Sequence, residues 1–285
     1  MIMINGSKRI FYFVCLLFWL LTIGYQSCQK PKDARGDTKS DLPDSVGRHQ
    51  IAGNKNSLQQ KVSVYLTFDD GPNWGSELVN KEAMIDSVYI TVFVVGKFVF
   101  KSDDNARLFK LYKQNPFIEI GNHSFTHANS HYRSYYRHTE EVLKDFLMNY
   151  DTLHLTEKVA RLPGRNCWRI GAKKRSDIED GALAADTLTS AGYNVFGWDV
   201  EWRYDSSGKI IESAEDMIHK VEMIASHQTS FLPGNIVILC HDPMLQDTTN
   251  LPSLQEFVRQ IKSNGKCQFR KLSDYPTPNI KGSTN

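Results

Sequence analysis

The stretch that decides the fold occupies residues 62–72 and reads Val-Ser-Val-Tyr-Leu-Thr-Phe-Asp-Asp-Gly-Pro. Its first part is β-branched and apolar, which predicts a buried strand, and Gly71-Pro72 predicts that the strand stops there. Asp69 and Asp70 therefore lie at the mouth of a strand. Because neighbouring strand residues point to opposite faces, the two carboxylates could serve different roles if the chain bends at Gly-Pro. Taken alone, the same string would also fit a solvated turn.

A second group of reactive side chains follows in His-Ser-Phe-Thr-His, residues 123–127. Histidines at positions i and i+4 share one face of a helical or tightly turned segment, so His123 and His127 could hold one ion together. With one Asp they would supply three N/O ligands and leave a position open for water, as in catalytic zinc sites. In a chain with nine histidines, a surface helix would explain the pair without any metal.

Three further strand-like runs end in reactive residues. Arg161 ends a run that starts at Val159, the acidic and aromatic residues 199–202 follow the run 194–198, and His241 ends the run 236–240. In each case the reactive groups come where the strand stops, which is where the sites of parallel α/β sheets and barrels are built.

These five motifs, in this order, resemble those of polysaccharide deacetylases with a NodB homology domain, carbohydrate esterase family four. Residues 67–72 match the first motif letter for letter, residues 123–127 fit His-[Ser/Thr]-x-x-His, and residues 239–241 fit Leu-x-His. The resemblance extends from about Lys61 to Tyr275. It implies a single irregular (β/α) barrel with about seven parallel strands.

Two motifs depart from the family pattern. The third is usually Arg-x-Pro-aromatic-Gly, but here Pro163 is followed by Gly164-Arg165, so the aromatic residue is missing and Trp168 is a candidate replacement. The fourth is usually Asp-x-x-Asp-Trp, but residues 199–202 read Asp-Val-Glu-Trp, one residue shorter. Both departures concern supporting and substrate-facing residues. They therefore affect the prediction of which substrate binds more than the prediction of a metal site.

The resemblance also implies a mechanism. Asp70, His123 and His127 would hold one divalent ion, with zinc expected and cobalt, nickel or manganese as alternatives. Asp69 would take a proton from the attacking water, and His241 would protonate the departing sugar atom.

Supporting roles follow from the same resemblance. Arg161 is expected to orient Asp69 and keep it ionised, with a strand-end salt bridge as the plain alternative, and Asp199 is expected to do the same for His241. The backbone N–H of Gly164 is expected to help hold the oxyanion.

Apolar residues of these motifs are candidates for contact with the substrate. Leu239 and Trp202 would line a small acetyl pocket, although a Leu in a buried strand is more often plain core. Because sugar rings stack on aromatic faces, Trp74, Trp168 and Trp202 are candidate platforms, and ordinary packing is the alternative for each.

The amino terminus predicts export. Lys8-Arg9 precede an uncharged apolar stretch, residues 10–23, so residues 1–27 have the form of a bacterial signal. The stretch is short for a membrane span, which needs about 20 residues. Cys28 stands where a lipoprotein signal places its modified cysteine, and lipidation and an uncleaved anchor both stay open. We expect a cell-envelope location, with membrane contact only through this end of the chain.

Composition limits the remaining possibilities. The chain carries 34 basic and 32 acidic residues, a balance that argues against nucleic acid as a partner. We expect an acetylated polysaccharide as substrate and a monomeric protein. Without Cys15 and Cys28, the remaining cysteines are Cys167, Cys240 and Cys267. An odd number argues against a disulfide framework, although one bridge between two of the three is possible.

The domain organisation follows from the spacing of apolar runs. Residues 28–60 are polar and predict a flexible linker, residues 61–275 suffice for one catalytic domain, and residues 276–285 form a tail. Strand-like runs alternate with helical patterns, which predicts parallel βα units without separating a closed barrel from an open sheet. The helical patterns cover residues 139–153, 214–226 and 254–262.

The sequence therefore predicts a metal-dependent hydrolase that removes acetyl groups, N-acetyl rather than O-acetyl, from a cell-envelope or extracellular polysaccharide. An amidohydrolase acting on a small cyclic amide is the first alternative, and export on a tether disfavours it. A non-catalytic glycan-binding relative is the second, and the presence of every reactive group disfavours it.

Overall fold

The computed structural model describes residues 61–278. The predicted export signal and linker lie outside the described residues, as do residues 279–285 of the predicted tail. Among the residues described, no helix is long and apolar enough to cross a membrane.

Strands and helices alternate along the chain. The ten strands of the described part are β1 Val62–Gly71, β2 Ile90–Val94, β3 Ile118–Asn122, β4 Val159–Ala160, β5 Cys167–Ile170, β6 Lys173–Ser176, β7 Asn194–Val195, β8 Val200–Glu201, β9 Asn235–His241 and β10 Cys267–Phe269. The helices are α1 Ser76–Ile85, α2 Gly96–Val99, α3 Asp103–Gln114, α4 Tyr132–Tyr135, α5 Thr139–Leu153, α6 Ala182–Ser190, α7 Ala214–His227 and α8 Leu251–Ser263.

The strands form one curled sheet in the order β6-β5-β7-β4-β3-β2-β1-β9-β8, with β10 beside β1. All neighbours from β7 to β8 are parallel, which confirms the predicted (β/α) architecture of about seven parallel strands. The hairpin of β5 and β6 is antiparallel. Its two strands were not among the predicted runs.

A single stretch of chain, residues 194–202, joins the two ends of this parallel run. On one side, Phe196 N donates to Ala160 O of β4 over 2.8 Å. On the other side, Asp199 N donates to Val237 O of β9 over 2.9 Å. The sheet therefore curls until β4 and β9 contact the same short segment, which contains both β7 and β8.

Apolar side chains fill both faces of the sheet. Every residue of β1 from Val64 to Phe68 is buried, because α1, α3, α7 and α8 cover the outer face while aromatic rings pack inside. This two-sided burial explains why the central strands read as continuous apolar runs.

The predicted helices are present with nearly the predicted bounds. Helix α5 matches its prediction residue for residue, and α7 begins where Ser213 and Asp216 form a capping box. Helix α8 begins three residues before the predicted start, at Leu251, with a proline in its first turn. Together these elements leave the carboxyl ends of β1, β3 and β9 at one end of the sheet.

Candidate functional site

The two adjacent carboxylates are separated by a break in the strand. The pairing of β1 with β2 shifts register between Asp69 and Gly71, and Asp70 has a φ of 70°. This left-handed conformation turns the chain at Asp70, one residue before the bend expected at Gly71-Pro72. Because of the turn, Asp69 and Asp70 line the same cavity although they are neighbours in a strand.

The two histidines meet through a tight loop. His123 directly follows β3, and His127 opens a 3₁₀ turn, so the i, i+4 pair does not lie on an α-helix. His127 N donates to Ser124 Oγ over 2.9 Å, and Ser124 N donates to Asn122 Oδ1 over 3.0 Å. The tightly turned arrangement is the one found, and it places the imidazole centres 5.1 Å apart.

Asp70, His123 and His127 form a cluster that fits a cation. One ligand atom from each lies within 4.8 Å of the others. Asp70 Oδ1 lies 3.0 Å from His127 Nε2 and 3.6 Å from His123 Nε2, and it is buried without a hydrogen-bond partner in the described residues. His123 Nδ1 lies 2.9 Å from Arg161 O, so a proton on Nδ1 leaves the Nε2 lone pair facing the cluster.

The electrostatics of the cluster favour the states that bind a metal. Burial lowers the pKa of His123, which keeps this imidazole neutral. Burial alone would raise the pKa of Asp70, but the close His127 and the nearby His123 and His241 lower it below its usual range. An ionised carboxylate and a neutral imidazole are the forms that ligate a divalent cation.

Asp69 is held from behind by Arg161. The Arg161 guanidinium is fully buried, and its Nη1 donates to Asp69 Oδ1 over 2.8 Å and to Thr67 Oγ1 over 2.7 Å. Its other nitrogens donate to the carbonyl oxygens of Phe196 and Gly197. A cation fixed by four acceptors orients one oxygen of Asp69, and the other oxygen lies 3.6 Å from His123 Nε2.

His241 lies beside Asp69 because their strands are in register. β1 and β9 pair Asp69 with His241. The Nδ1 atom of His241 is buried without a hydrogen-bond partner among the described residues. The imidazole packs edge-on against the ring of Tyr204, with ring centroids 5.8 Å apart. His241, Gly164 and Leu239 line the same cavity of about 210 Å³ as the two aspartates and the cation cluster.

Four residues of the cavity wall were not predicted as site residues: Tyr132, Asp177, Trp198 and Glu201. Glu201 and Trp198 belong to the fourth motif region, which could have pointed to them. Tyr132 comes from the short α4 and packs edge-on against His127 at 5.8 Å, and Asp177 follows β6. No local pattern marks these last two, because only the folded chain brings them to the site.

The predicted contact between Asp199 and His241 is wrong. Asp199 lies beside Val237, four residues before His241 along β9, and therefore deeper in the sheet. Its carboxylate accepts hydrogen bonds from the backbone of Phe231 and Val237 and from Arg175. Glu201, which pairs with Leu239 nearer the strand end, is the carboxylate of this motif that reaches the cavity.

The predicted substrate contacts of Trp168 and Trp202 are also wrong. Both side chains are fully buried. Trp168 stacks on Phe231 with ring centroids 4.3 Å apart, and Trp202 donates from Nε1 to Glu212 O and packs against Phe257. Ordinary packing is therefore the correct interpretation, and Trp168 does not replace the aromatic residue missing from the third motif.

The three cysteines of the described part are free thiols. Cys167 and Cys240 are buried, and Cys267 is half-buried. The disulfide that the sequence left open is not formed among them.

Comparisons with known proteins agree with this arrangement. Residues 56–166 match the family described as polysaccharide deacetylase, a range that includes the first three motifs. A chitin disaccharide deacetylase from Vibrio alginolyticus is 22% identical over 317 aligned positions, which cover 79% of this chain and 74% of that protein.

Solved structures share the fold. A CE4 esterase from Streptococcus mutans superposes with a TM-score of 0.56 and 20% identity, covering 74% of this chain and 86% of that one. The catalytic domain of a peptidoglycan N-acetylglucosamine deacetylase from Eubacterium rectale gives a TM-score of 0.55 and 19% identity, covering 79% of this chain and 94% of that one. At these identities the likeness establishes the fold alone.

Proposed function

We propose that this chain, which matches the polysaccharide deacetylase family over residues 56–166, is a metal-dependent hydrolase that removes N-acetyl groups from a cell-envelope or extracellular polysaccharide. One observation carries the proposal. The Asp70, His123 and His127 cluster shares its cavity with a second carboxylate, Asp69, which a buried Arg161 holds in place.

The donor set fits one divalent cation. The buried, unpartnered Asp70 Oδ1 and the two imidazole nitrogens are N/O ligands of the kind that zinc accepts, with cobalt, nickel and manganese as alternatives. When bound, such an ion makes water a better nucleophile at neutral pH and polarises an acetyl carbonyl.

Asp69 is positioned to act as the general base. The hydrogen bond from Arg161 occupies its Oδ1, and Oδ2 remains free toward the cavity, 3.6 Å from His123 Nε2. As water attacks the acetyl carbon, this oxygen takes one proton. The two carboxylates thus have separate tasks, Asp70 as a ligand and Asp69 as a proton acceptor.

Gly164 and His241 would complete the reaction. In the described residues the N–H of Gly164 donates to no protein acceptor, and Gly164 lines the cavity, so this N–H is available to the developing oxyanion. His241 gives a proton to the departing sugar nitrogen as the C–N bond breaks. The products are acetate and the free amine.

The test is acetate release by the purified chain from peptidoglycan, chitooligosaccharides, poly-N-acetylglucosamine and acetylxylan, before and after chelation and with each metal restored. We expect release that requires metal and that falls by about 10²- to 10⁴-fold in Asp69→Asn, the usual size of a general-base contribution. The exposed Asp151→Asn makes the same charge change and should leave the rate intact.

Other results would point to other functions. Hydrolysis of small cyclic amides without acetate release would favour the amidohydrolase alternative. Binding of a glycan without turnover would favour the non-catalytic relative. Release that survives complete metal removal would contradict the mechanism.

The location of the enzyme is a further part of the proposal. Lys8-Arg9, the apolar residues 10–23 and Cys28 have the form of an export signal that ends at a site of lipid attachment, and the substrate class suits an envelope address. Metabolic labelling of cells with a palmitate analogue, comparing the natural chain with Cys28→Ser, distinguishes a lipid anchor from simple cleavage or an uncleaved leader.

A further inference from the structure

A second, larger cleft opens directly beside the metal cluster. Asp70 and His127 line the catalytic cavity on one side and this cleft on the other. The cleft has a volume of about 630 Å³, and its lining includes Trp74, Phe98 and Lys101. Phe98 packs against the His127 ring with centroids 6.4 Å apart, so the aromatic wall begins at a ligand of the cluster.

Trp74 is the most exposed large apolar side chain in the described part of the chain. Its side chain is 81% exposed, whereas Trp168 and Trp202 are fully buried. Single exposed apolar side chains are common on protein surfaces, but Trp74 differs from the others in lining a cleft that adjoins the cluster. Trp74 is therefore available to a ligand in a way that the other two candidate platforms are not.

The loop that presents Trp74 is held in place on both sides of the residue. Asn73 Nδ2 donates to Asp70 O over 3.0 Å, Asn73 N donates to Ser76 Oγ over 2.8 Å, and Gly75 N donates to Asn73 Oδ1 over 3.0 Å. The Ser76 hydroxyl in turn donates to the buried carboxylate of Asp242.

Two close contacts fix the loop further. Asn105 Nδ2 donates to Pro72 O over 2.7 Å. A Cβ on Gly75 would lie 1.8 Å from Asp242 O, so only glycine permits this approach of the two backbones. The backbone under Trp74 is thus preorganised, and little ordering entropy of the loop would oppose binding on the indole face.

The relative sizes of the two spaces indicate what occupies the cleft. Ligand pockets usually enclose about 300–1,000 Å³. The catalytic cavity, at about 210 Å³, is below this range and suits an acetyl group and part of its sugar, whereas the adjoining cleft at about 630 Å³ lies within it. A polysaccharide that presents one acetyl group to the cluster must place its neighbouring ring outside the cavity.

We propose that Trp74 stacks against the pyranose ring next to the one being deacetylated, so that the enzyme selects chains of sugars over single acetylated sugars. The inference rests on the proposed deacetylase activity and deepens it. The apolar face of a pyranose matches an indole face, and Phe98 and Lys101 supply a second wall and a hydrogen-bond donor for ring hydroxyls.

The experiment measures kcat/KM for acetate release from chitooligosaccharides of one, two and four sugars, using the metal-loaded full chain. For Trp74→Ala we expect about a tenfold loss on the longer substrates, equivalent to ~1.4 kcal/mol of stacking, and no change on the single sugar. Trp74→Phe should restore most of the loss because it keeps an aromatic face.

Ile85→Ala is the matched control, since Ile85 is 72% exposed at the far end of α1. It should leave the dependence on length intact. Equal rates for Trp74→Ala and the unchanged enzyme at every length, or an equal loss at every length, would overturn the stacking site while leaving the deacetylase activity standing. Absence of acetate release from every glycan would overturn the proposed function itself, and this inference with it.

Discussion

Asp69 and Asp70 have different surroundings although they are adjacent in the chain. Asp69 continues the strand and faces the Arg161 guanidinium, while Asp70, with a φ of 70°, faces two imidazoles. A regular strand would have sent one of the two side chains to the opposite face of the sheet. The local turn lets one dipeptide supply both a cation ligand and a proton acceptor to the same cavity.

Asp199 and Glu201 should separate stability from activity. The two oxygens of Asp199 each accept a hydrogen bond from a backbone N–H, of Phe231 and of Val237. The asparagine in Asp199→Asn has only one side-chain oxygen, so one N–H loses its acceptor, and we expect the free energy of unfolding to fall by about 1–3 kcal/mol. Urea unfolding, with Asp151→Asn as control, measures the change. The folded fraction should keep its kcat/KM.

Glu201→Gln should show the reverse pattern. Glu201 lines the catalytic cavity, and the loss of its charge should lower kcat/KM by about tenfold, or ~1.4 kcal/mol, with little change in unfolding. An Asp199→Asn variant with an unchanged free energy of unfolding but a lowered kcat/KM would contradict the placement of Asp199 outside the reacting centre.

At the scale of elements, the end of β9 is tied to the start of α1 by a buried carboxylate. Asp242 follows β9, is fully buried, and accepts hydrogen bonds from the hydroxyls of Ser76 and of Tyr112, the latter over 2.7 Å. A Cβ on Gly71 would lie 2.4 Å from Asp242 Oδ2, so the glycine of the first motif makes room for this carboxyl. The connection positions the loop that carries both Asp70 and Trp74.

The protonation of Asp242 should make stability depend on pH. Burial raises its pKa from 3.8 to about 7, against the lowering effect of Ser76 and Tyr112, and the charges of Asp70 and Asp69 raise it further. The pKa of Asp242 is higher in the folded chain than in the unfolded chain, so folding favours the protonated carboxyl. Its contribution to the free energy of unfolding is fully present below about pH 4 and is lost as the pH rises to about 7.

Asp242→Asn removes this titration. In chelator, the free energy of unfolding of the variant minus that of the unchanged chain should therefore increase between pH 5 and 7 and level off above, on the order of 1.4 kcal/mol per pH unit. Urea unfolding at several pH values measures the difference, in which titrating groups that do not interact with Asp242 cancel. A difference independent of pH would contradict the buried, protonated carboxyl.

At the scale of the whole molecule, the curled sheet brings together groups that are far apart in the chain. The cation cluster joins the end of β1 to the loop after β3, and His241 reaches the same cavity from β9. Arg161, which follows β4, holds Asp69 from behind. The segment 194–202 links the two ends of the parallel run. A ligand that bridges these elements should therefore stabilise the fold as a whole.

Metal binding should raise the unfolding temperature of the chelated protein. A cation present at 100 times its Kd adds about 2.7 kcal/mol to the free energy of unfolding when only the folded state binds it. Calorimetry with added zinc measures the shift, which Asp70→Asn should remove and Asp151→Asn should keep. An unchanged unfolding temperature with saturating zinc would contradict the cation site.

Strand and helix positions were largely predictable. The strand runs and helices α5, α7 and α8 follow from local apolar patterns, which survive in the fold because burial of those same residues holds the sheet together. The hairpin of β5 and β6 escaped prediction because β6 is charged and largely exposed, so no apolar alternation marks it. The monomeric state stays a prediction.

The sequence by itself determined which reactive residues stand at strand ends, because local patterns of apolar residues and turns specify where a strand stops. Only the tertiary structure decided which of them share a cavity. Asp199 and Glu201 are two residues apart in one motif, yet the register with β9 buries the first among backbone amides and brings the second to the site. The same holds for tryptophan. Burial depends on what the rest of the chain packs against each ring, so Trp168 and Trp202 became core while Trp74 stayed exposed beside the cluster.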